Sequence, residues 1–157
     1  YADLTPMENL IFFGKMYGLE RPQESALSVL EDVGLAPRRN DRVRTFSRGM
    51  VQRLSIARAI LHDPSILFLD EPFTGLDIHA SNVLKEHLQS LHNKKRTILM
   101  TTHDVSCGLE MCDKVALQVM GWFAFFKDVK EFSKESFETM YFDAVRDNQF
   151  TMGIRNR

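Results

Sequence analysis

An α/β fold, with a helical segment ahead of parallel β/α layers, follows from three observations. The run Ile66–Leu69 is apolar throughout and ends in two adjacent carboxylates, Asp70 and Glu71, followed by Pro72. A second run, Thr97–Thr102 (TILMTT), ends in His103, and a helical stripe lies between the two. Ahead of Ile66, apolar residues recur at helical rather than alternating spacing. Near-continuous apolar strands separated by helices point to a parallel sheet buried on both faces.

The elements can be justified in order. Thr5 can cap a helix, with Pro6 at the first helical position and Glu8 placed to close a capping box. Phe12, Met16 and Leu19 are expected to continue its apolar face. Ala26, Leu27, Leu30 and Val33 predict a second helix that ends at Gly34. Ala36–Thr45 is a polar, basic linker. Ser47 is a good N-cap, and Leu54, Ala57, Ile60 and Leu61 form the stripe of a third helix. Ser81–Leu91 predicts a fourth, with Val83, Leu84, Leu88 and Leu91 inward. Val115–Phe126 is interrupted by Gln118, Gly121 and Trp122 and reads as two strands. Val129–Val145 reads as one or two amphipathic helices with Phe132, Phe137, Met140 and Tyr141 apolar, and Arg146–Arg157 as a frayed tail.

Composition excludes several classes. The 157 residues can form a domain with a real core, and 44% hydrophobic with 26% charged is ordinary for a globular chain. A net charge of −1 argues against a nucleic-acid partner. The basic runs Arg38-Arg39 and Lys94-Lys95-Arg96 read as solvated loop and helix-end charge. Cys107 and Cys112 are too few and badly spaced for zinc, and fit reduced thiols in a cytosolic protein. No apolar run approaches the ~20 residues that cross a bilayer.

Three places carry candidate chemistry. Parallel strands present their C-terminal ends to the crevice where open α/β sheets bind ligands. Asp70 and Glu71 there are either two solvated acids or a metal-binding acid beside a water-handling one. Ser47, with Gly49 nearby, either caps a helix and no more or opens an anion site at the helix start. His103 at the end of its run is either a hydrogen-bonded structural residue or a catalytic one.

The order of these features resembles the nucleotide-binding domain of ABC transporters. Phe46-Ser47-Arg48-Gly49-Met50 is similar to the family's LSGGQ signature, with Gln52-Arg53 trailing. Ile66–Glu71 resembles Walker B, Gly75-Leu76-Asp77 the D-loop, and His103 the switch histidine. Tyr1–Leu19 looks like the opening of the helical subdomain, and Cys112-Asp113-Lys114-Val115 like the lead into a later strand. The resemblance runs from Tyr1 to about Lys127 and fades afterwards.

Two departures stand out. Arg48 occupies the place of the first signature Gly and Met50 that of Gln, a variant resembling exporter-type members; heme, drug, lipid and polysaccharide efflux all stay open, with Tyr1–Leu19 most similar to the heme-exporter and multidrug branches. No GxxxxGK[ST] Walker A occurs, and the Q-loop glutamine is absent. The chain therefore reads as the C-terminal part of a P-loop NTPase-like domain. Residues 1–61 would be the helical signature subdomain, 62–127 the C-terminal part of a RecA-like core, and 128–157 C-terminal helices and tail.

The resemblance implies ATP and Mg²⁺ as cofactors. Asp70 would bind the metal, and Glu71 would act on the attacking water. His103 would touch the γ-phosphate. Ser47, Arg48, Gly49, Met50, Gln52 and Asp77 would form the nucleotide-binding set, partly across a dimer with a second nucleotide-binding domain, homo- or heterodimeric. Arg48 either points away from the nucleotide and pairs with an acid of the helical segment, the favoured reading, or adds charge near the phosphate. A transmembrane permease subunit is the implied partner, docked on Tyr1–Arg44 beside Ile11, Phe12, Phe13, Met16 and Tyr17; the alternative is that the helix over Ala26–Val33 covers the rest of that apolar set. That makes the protein peripheral at the cytoplasmic face of the cell membrane. Two other classes stay open: a soluble ABC-type ATPase acting on DNA, and a non-catalytic half-site module.

Overall fold

A computed structural model of the chain describes residues 2–93, 96–131, 133, 136–144 and 146. Of the positions singled out above, Tyr1, Lys94, Lys95, Phe132, Val145 and the tail from 147 onward lie outside the described residues. The chain divides into two compact units, Tyr1–Thr102 and His103–Arg157.

The first unit opens with α1 (Pro6–Met16). Thr5 Oγ1 accepts from the Glu8 N–H while the Glu8 carboxylate accepts from the Thr5 N–H, the reciprocal box expected of this spacing. The bond from the Thr5 backbone holds the Glu8 carboxyl below its usual range. The inward face differs from the expected one. Leu10 and Gly14 are buried, while Phe12 and Met16 are exposed and Leu19 is half-buried. The cause is α2 (Pro22–Asp32), which packs so close that a Cβ on Gly14 would lie 2.8 Å from the Pro22 Cβ. The helix turns its smallest residue toward its neighbour, and the larger ones are left outside.

α2 buries Ala26, Val29 and Leu30 and leaves Leu27 exposed. Val33 is buried just past its end, and Gly34 follows at φ +65°, the left-handed position that stops helices at glycine. The linker holds two short 3₁₀ turns, Ala36–Arg38 and Val43–Thr45. It bonds back along the chain start: Met7 N–H to Arg39 O, Val43 N–H to Leu4 O, Arg44 N–H to Ala2 O. α3 (Arg48–Ile60) buries Leu54, Ile56, Ala57 and Ile60, and Leu61 follows them inward.

β1 (Ile66–Asp70) and β2 (Thr97–Thr101) pair in parallel, from Ile66 opposite Thr97 to Asp70 opposite Thr101. α4 (Ile78–Asn93) connects them and buries Leu84, Leu88 and Leu91. The expectation of strands buried on both faces is corrected. Leu67 and Leu69 are buried, but Ile66, Phe68 and Leu99 are 52, 72 and 58% exposed. The register and the two-residue alternation of strands put these three on one face, which is open among the described residues.

The second unit begins at His103. Asp104 caps α5 (Val105–Met111) by accepting from the Cys107 N–H at 3.0 Å. β3 (Lys114–Val119) and β4 (Trp122–Asp128) are two strands, as expected, but they pair antiparallel. The parallel alternation expected as far as Phe126 therefore stops earlier. The reason is local: Met120 and Gly121 have φ of 51° and 85°, the conformation of a two-residue type I′ hairpin turn. Residues 136–144 are helical, and Phe137 is buried edge-on to Phe125 with centroids 5.8 Å apart. Among the described residues no helix is long and apolar enough to cross a membrane.

Candidate functional site

The acidic pair is built around one threonine. Thr101, opposite Asp70 in the parallel register, donates its hydroxyl to Asp70 Oδ1. The same hydroxyl oxygen accepts from the Glu71 N–H at 3.2 Å, and the Thr101 carbonyl accepts from it at 3.1 Å. Glu71 sits at φ +46°, a left-handed conformation that costs a non-glycine residue roughly 1–3 kcal/mol. Its carboxylate accepts from Thr74 Oγ1 at 3.2 Å, and Pro72 beside it is fully buried. Both acids are thus held at the C-terminal end of β1, with Asp70 exposed and Glu71 half-buried.

A tight loop follows. Thr74 N–H bonds to Glu71 O and Leu76 N–H to Phe73 O, each at 3.2 Å, and Gly75 has φ +72°. Asp77 Oδ1 accepts from the Ala80 N–H at 2.7 Å and so caps α4. The start of α3 lies against this loop. Ser47 Oγ accepts from the Met50 N–H at 3.3 Å. Gly49 is buried, and a Cβ there would lie 2.9 Å from the Ala80 Cβ. Met50 and Gln52 are half-buried, Ser47 and Arg48 exposed.

Arg48 departs from its expected pairing. Its guanidinium rests on Gly75: a Cβ at that glycine would lie 2.9 Å from Arg48 Nε and closer still to Cζ and Nη1. The salt bridges among the described residues do not include Arg48. The open Cα face of a glycine accepts the flat guanidinium where any side chain would exclude it. Arg53, one turn on, serves packing rather than the loop. It donates to the carbonyls of Val33 at 3.1 Å and Gly34 at 3.4 Å, a cation against the negative end of α2.

His103 opens the second unit and is exposed there, one residue before the Asp104 cap. Asp70 offers an exposed carboxylate, and among the described residues no group of three or more His, Cys, Asp or Glu forms a metal cage. Mg²⁺ commonly takes one or two protein carboxylates and completes its shell with phosphate oxygens and water. The donor set therefore fits Mg²⁺ carried with a nucleotide and does not fit structural zinc. Sequence reasoning missed Thr101 and Thr74. Thr101 ends a recognisable strand, but its place opposite Asp70 depends on a register that the residues do not spell out.

A family model described as ABC transporter matches residues 2–74. The ABC transporter ATP-binding protein NatA of Bacillus subtilis (strain 168) is 42% identical over 121 residues, which are 74% of this chain and 48% of that protein. A fluoroquinolones export ATP-binding protein of Mycobacterium tuberculosis (strain ATCC 25618 / H37Rv) is 40% identical over 121 residues, 77% of this chain and 40% of its own. Nod factor export ATP-binding protein I of Rhizobium johnstonii is also 40% identical over 121 residues, 76% of this chain and 39% of its own. A solved ATP-binding cassette of an ABC transporter superposes with a TM-score of 0.79 at 19% identity, covering 91% of this chain and 63% of that one. The chain belongs to the ABC transporter ATP-binding proteins and has the α/β fold of their cassettes. It spans less than half the length of these curated relatives.

Proposed function

We propose that this chain supplies the signature and Walker B part of an ATP-hydrolysing subunit that drives export through a membrane permease. The observation that carries the reading is the pair Asp70 and Glu71, tied to one threonine at the end of a parallel strand, in a chain of this family. Relatives named for export of fluoroquinolones and Nod factor support the direction of transport.

Asp70 is the residue to hold Mg²⁺, which when bound neutralises phosphate charge. Glu71 accepts a proton from the attacking water or orients it, and the Thr74 hydroxyl fixes one of its carboxylate oxygens. The Ser47 hydroxyl and the Gly49 N–H, at the positive end of α3, donate to the γ-phosphate of ATP held by a second nucleotide-binding domain. Met50 and Gln52 extend that surface, His103 contacts the γ-phosphate, and Asp77 links the two sites. Phosphoryl transfer is largely positioning and charge stabilisation, so dividing donors between two chains makes turnover conditional on dimer closure. The functional divisions 1–61, 62–127 and 128–157 follow this reading and are distinct from the two compact units.

The 157 residues contain no GxxxxGK[ST], whose backbone and Lys supply most phosphate donors of a P-loop. Purified alone, the chain is expected not to hydrolyse ATP; turnover abolished by Glu71→Gln would overturn this. In the ATP-hydrolysing assembly that contains the chain, Glu71→Gln should cut turnover by about 10²–10⁴-fold while ATP still binds. Turnover near the unmodified rate would remove Glu71 as the base.

The permease is assigned to the outer face of α1. α2 covers Leu10 and Gly14, while Phe12, Met16 and Tyr17 stay exposed. Phe13 lies under Arg58 at 4.8 Å, and Tyr17 packs on His62 at 4.5 Å. This aromatic strip suits an apolar cytoplasmic segment and makes the protein a peripheral subunit at the cytoplasmic face of the membrane. Cysteines at positions 12 and 17 should crosslink to the permease's cytoplasmic loops. Crosslinks from residues 136–144 alone would move the docking surface there.

A further inference from the structure

We propose that Arg48 is a positioning residue that latches the Glu71–Asp77 loop to the start of α3, so that movement of the signature helix reaches the Glu71 carboxylate in the same chain. The inference rests on the function proposed above and concerns how its two halves communicate.

Two adjacent contacts key α3 onto the loop and onto α4. Gly49 is buried, and the missing Cβ lets α3 approach Ala80 to a distance that no side chain would permit. One residue earlier, the Arg48 guanidinium fills the notch left by Gly75. Gly75 cannot be exchanged freely, because its φ of +72° and the guanidinium on its Cα both oppose a side chain. A guanidinium is flat and weakly hydrated, so it suits lying on a peptide face; an ammonium does not.

From that contact the path to the acid is short and covalent or hydrogen-bonded at every step. Gly75 is preceded by Thr74, whose hydroxyl donates to the Glu71 carboxylate and whose N–H bonds to the Glu71 carbonyl. On its other side the loop ends in Asp77, fixed to α4 by its bond from the Ala80 N–H. Glu71 itself is anchored to β2 through Thr101. The loop is therefore held at both ends, and its middle rests on Arg48. Displacing α3 would shift Gly75, and with it the Thr74 hydroxyl that orients the carboxylate.

The proposed function gives this latch a consequence. Ser47 and Gly49 serve the ATP held by the opposite domain, whereas Glu71 serves the ATP of its own. Arg48 then carries the engagement of one composite site to the catalytic acid of the other, and hydrolysis at the two sites becomes coupled.

The test uses the ATP-hydrolysing assembly that contains the chain, with initial rates measured across ATP concentration. Arg48→Ala should lower kcat by about ten- to a hundredfold, the cost of a misplaced reacting group. KM should stay within about twofold and the Hill coefficient should fall toward one. Arg48→Lys should fail to restore either quantity, and Arg48→Met, which keeps the stem, should behave as Ala does. Thr74→Val combined with Arg48→Ala should be no slower than the slower single variant, because both act through the same carboxylate. Wild-type kcat and Hill coefficient in Arg48→Ala, rescue by Lys, or multiplicative effects in the double variant would each overturn the latch. Glu71→Gln separates the two failures. If it abolishes turnover while Arg48→Ala is silent, only the latch falls; if it leaves turnover intact, the underlying reading falls and the latch with it.

Discussion

The helices at the start of the chain and the two-stranded parallel sheet that follows solve the same problem differently. α1, α2 and α3 bury Leu10, Ala26, Leu30, Ala57 and Ile60 almost completely. β1 and β2 bury Leu67 and Leu69 on one side and leave Ile66, Phe68 and Leu99 open on the other. A helix has one apolar stripe, and a neighbouring helix in sequence can cover it. A parallel strand with two apolar faces needs a layer on each side, and here one layer comes from the described residues. The strands are the more apolar of the two, yet among the described residues only one of their faces is covered.

That contrast can be broken by substitution. Leu30→Ala, in the fully buried helical core, should lower the stability of the 157-residue chain by about 2–5 kcal/mol. Phe68→Ala, on the open sheet face, should change it by less than about 0.5 kcal/mol despite removing a larger side chain. Urea unfolding of both variants measures the difference. Equal losses would mean that the sheet face is covered in solution.

A smaller effect sharpens the helical side. Thr5→Ala removes the hydroxyl of the capping box and should cost about 1 kcal/mol, read as a lowered urea midpoint with unchanged slope. An unchanged midpoint would place the stability of α1 in its packing on α2 alone.

The smallest effect depends on pH and tests how α2, α3 and α4 meet. Burial lowers the pKa of His87 on α4, and the Arg53 guanidinium on α3 lowers it further. A bond with the Asp32 backbone and the carboxylates of Glu86 and Asp32 oppose these effects. The folded state therefore favours the neutral ring. On acidification the unfolded chain takes up the proton first, near the ordinary value of about 6.5. Stability is fully present above that value and is lost as pH falls through it, until the folded-state ring also protonates. His87→Gln should flatten this slope in melts between pH 7.5 and 5; an unaltered slope would assign the pH dependence to other groups.

Much of the candidate site is legible in local sequence patterns. The apolar run into Asp70-Glu71, the Ser47 cap and the strand read over Thr97–Thr102 are local patterns, set by backbone periodicity and by side chains that bond within a few residues; the strand ends one residue earlier, at Thr101. The capping box of Thr5 and Glu8 was legible for the same reason. The α1 face was misread because its orientation depends on the closeness of Pro22 to Gly14, a contact between two helices.

The sequence by itself determined that capped helices precede an apolar strand and which acids end β1, and its resemblance to a family named the residues expected to serve a nucleotide. The helices, the caps and the strand follow from propensity, capping and alternation, which act over a few residues; the nucleotide residues follow from the order of the motifs. Only the tertiary structure decided that Thr101 bonds to both acids, that one sheet face is open among the described residues, and that Arg48 lies on Gly75. Each of these depends on strand register or on the approach of two elements distant in sequence. Such contacts are selected by the packing of the whole unit, and no short stretch of residues encodes them.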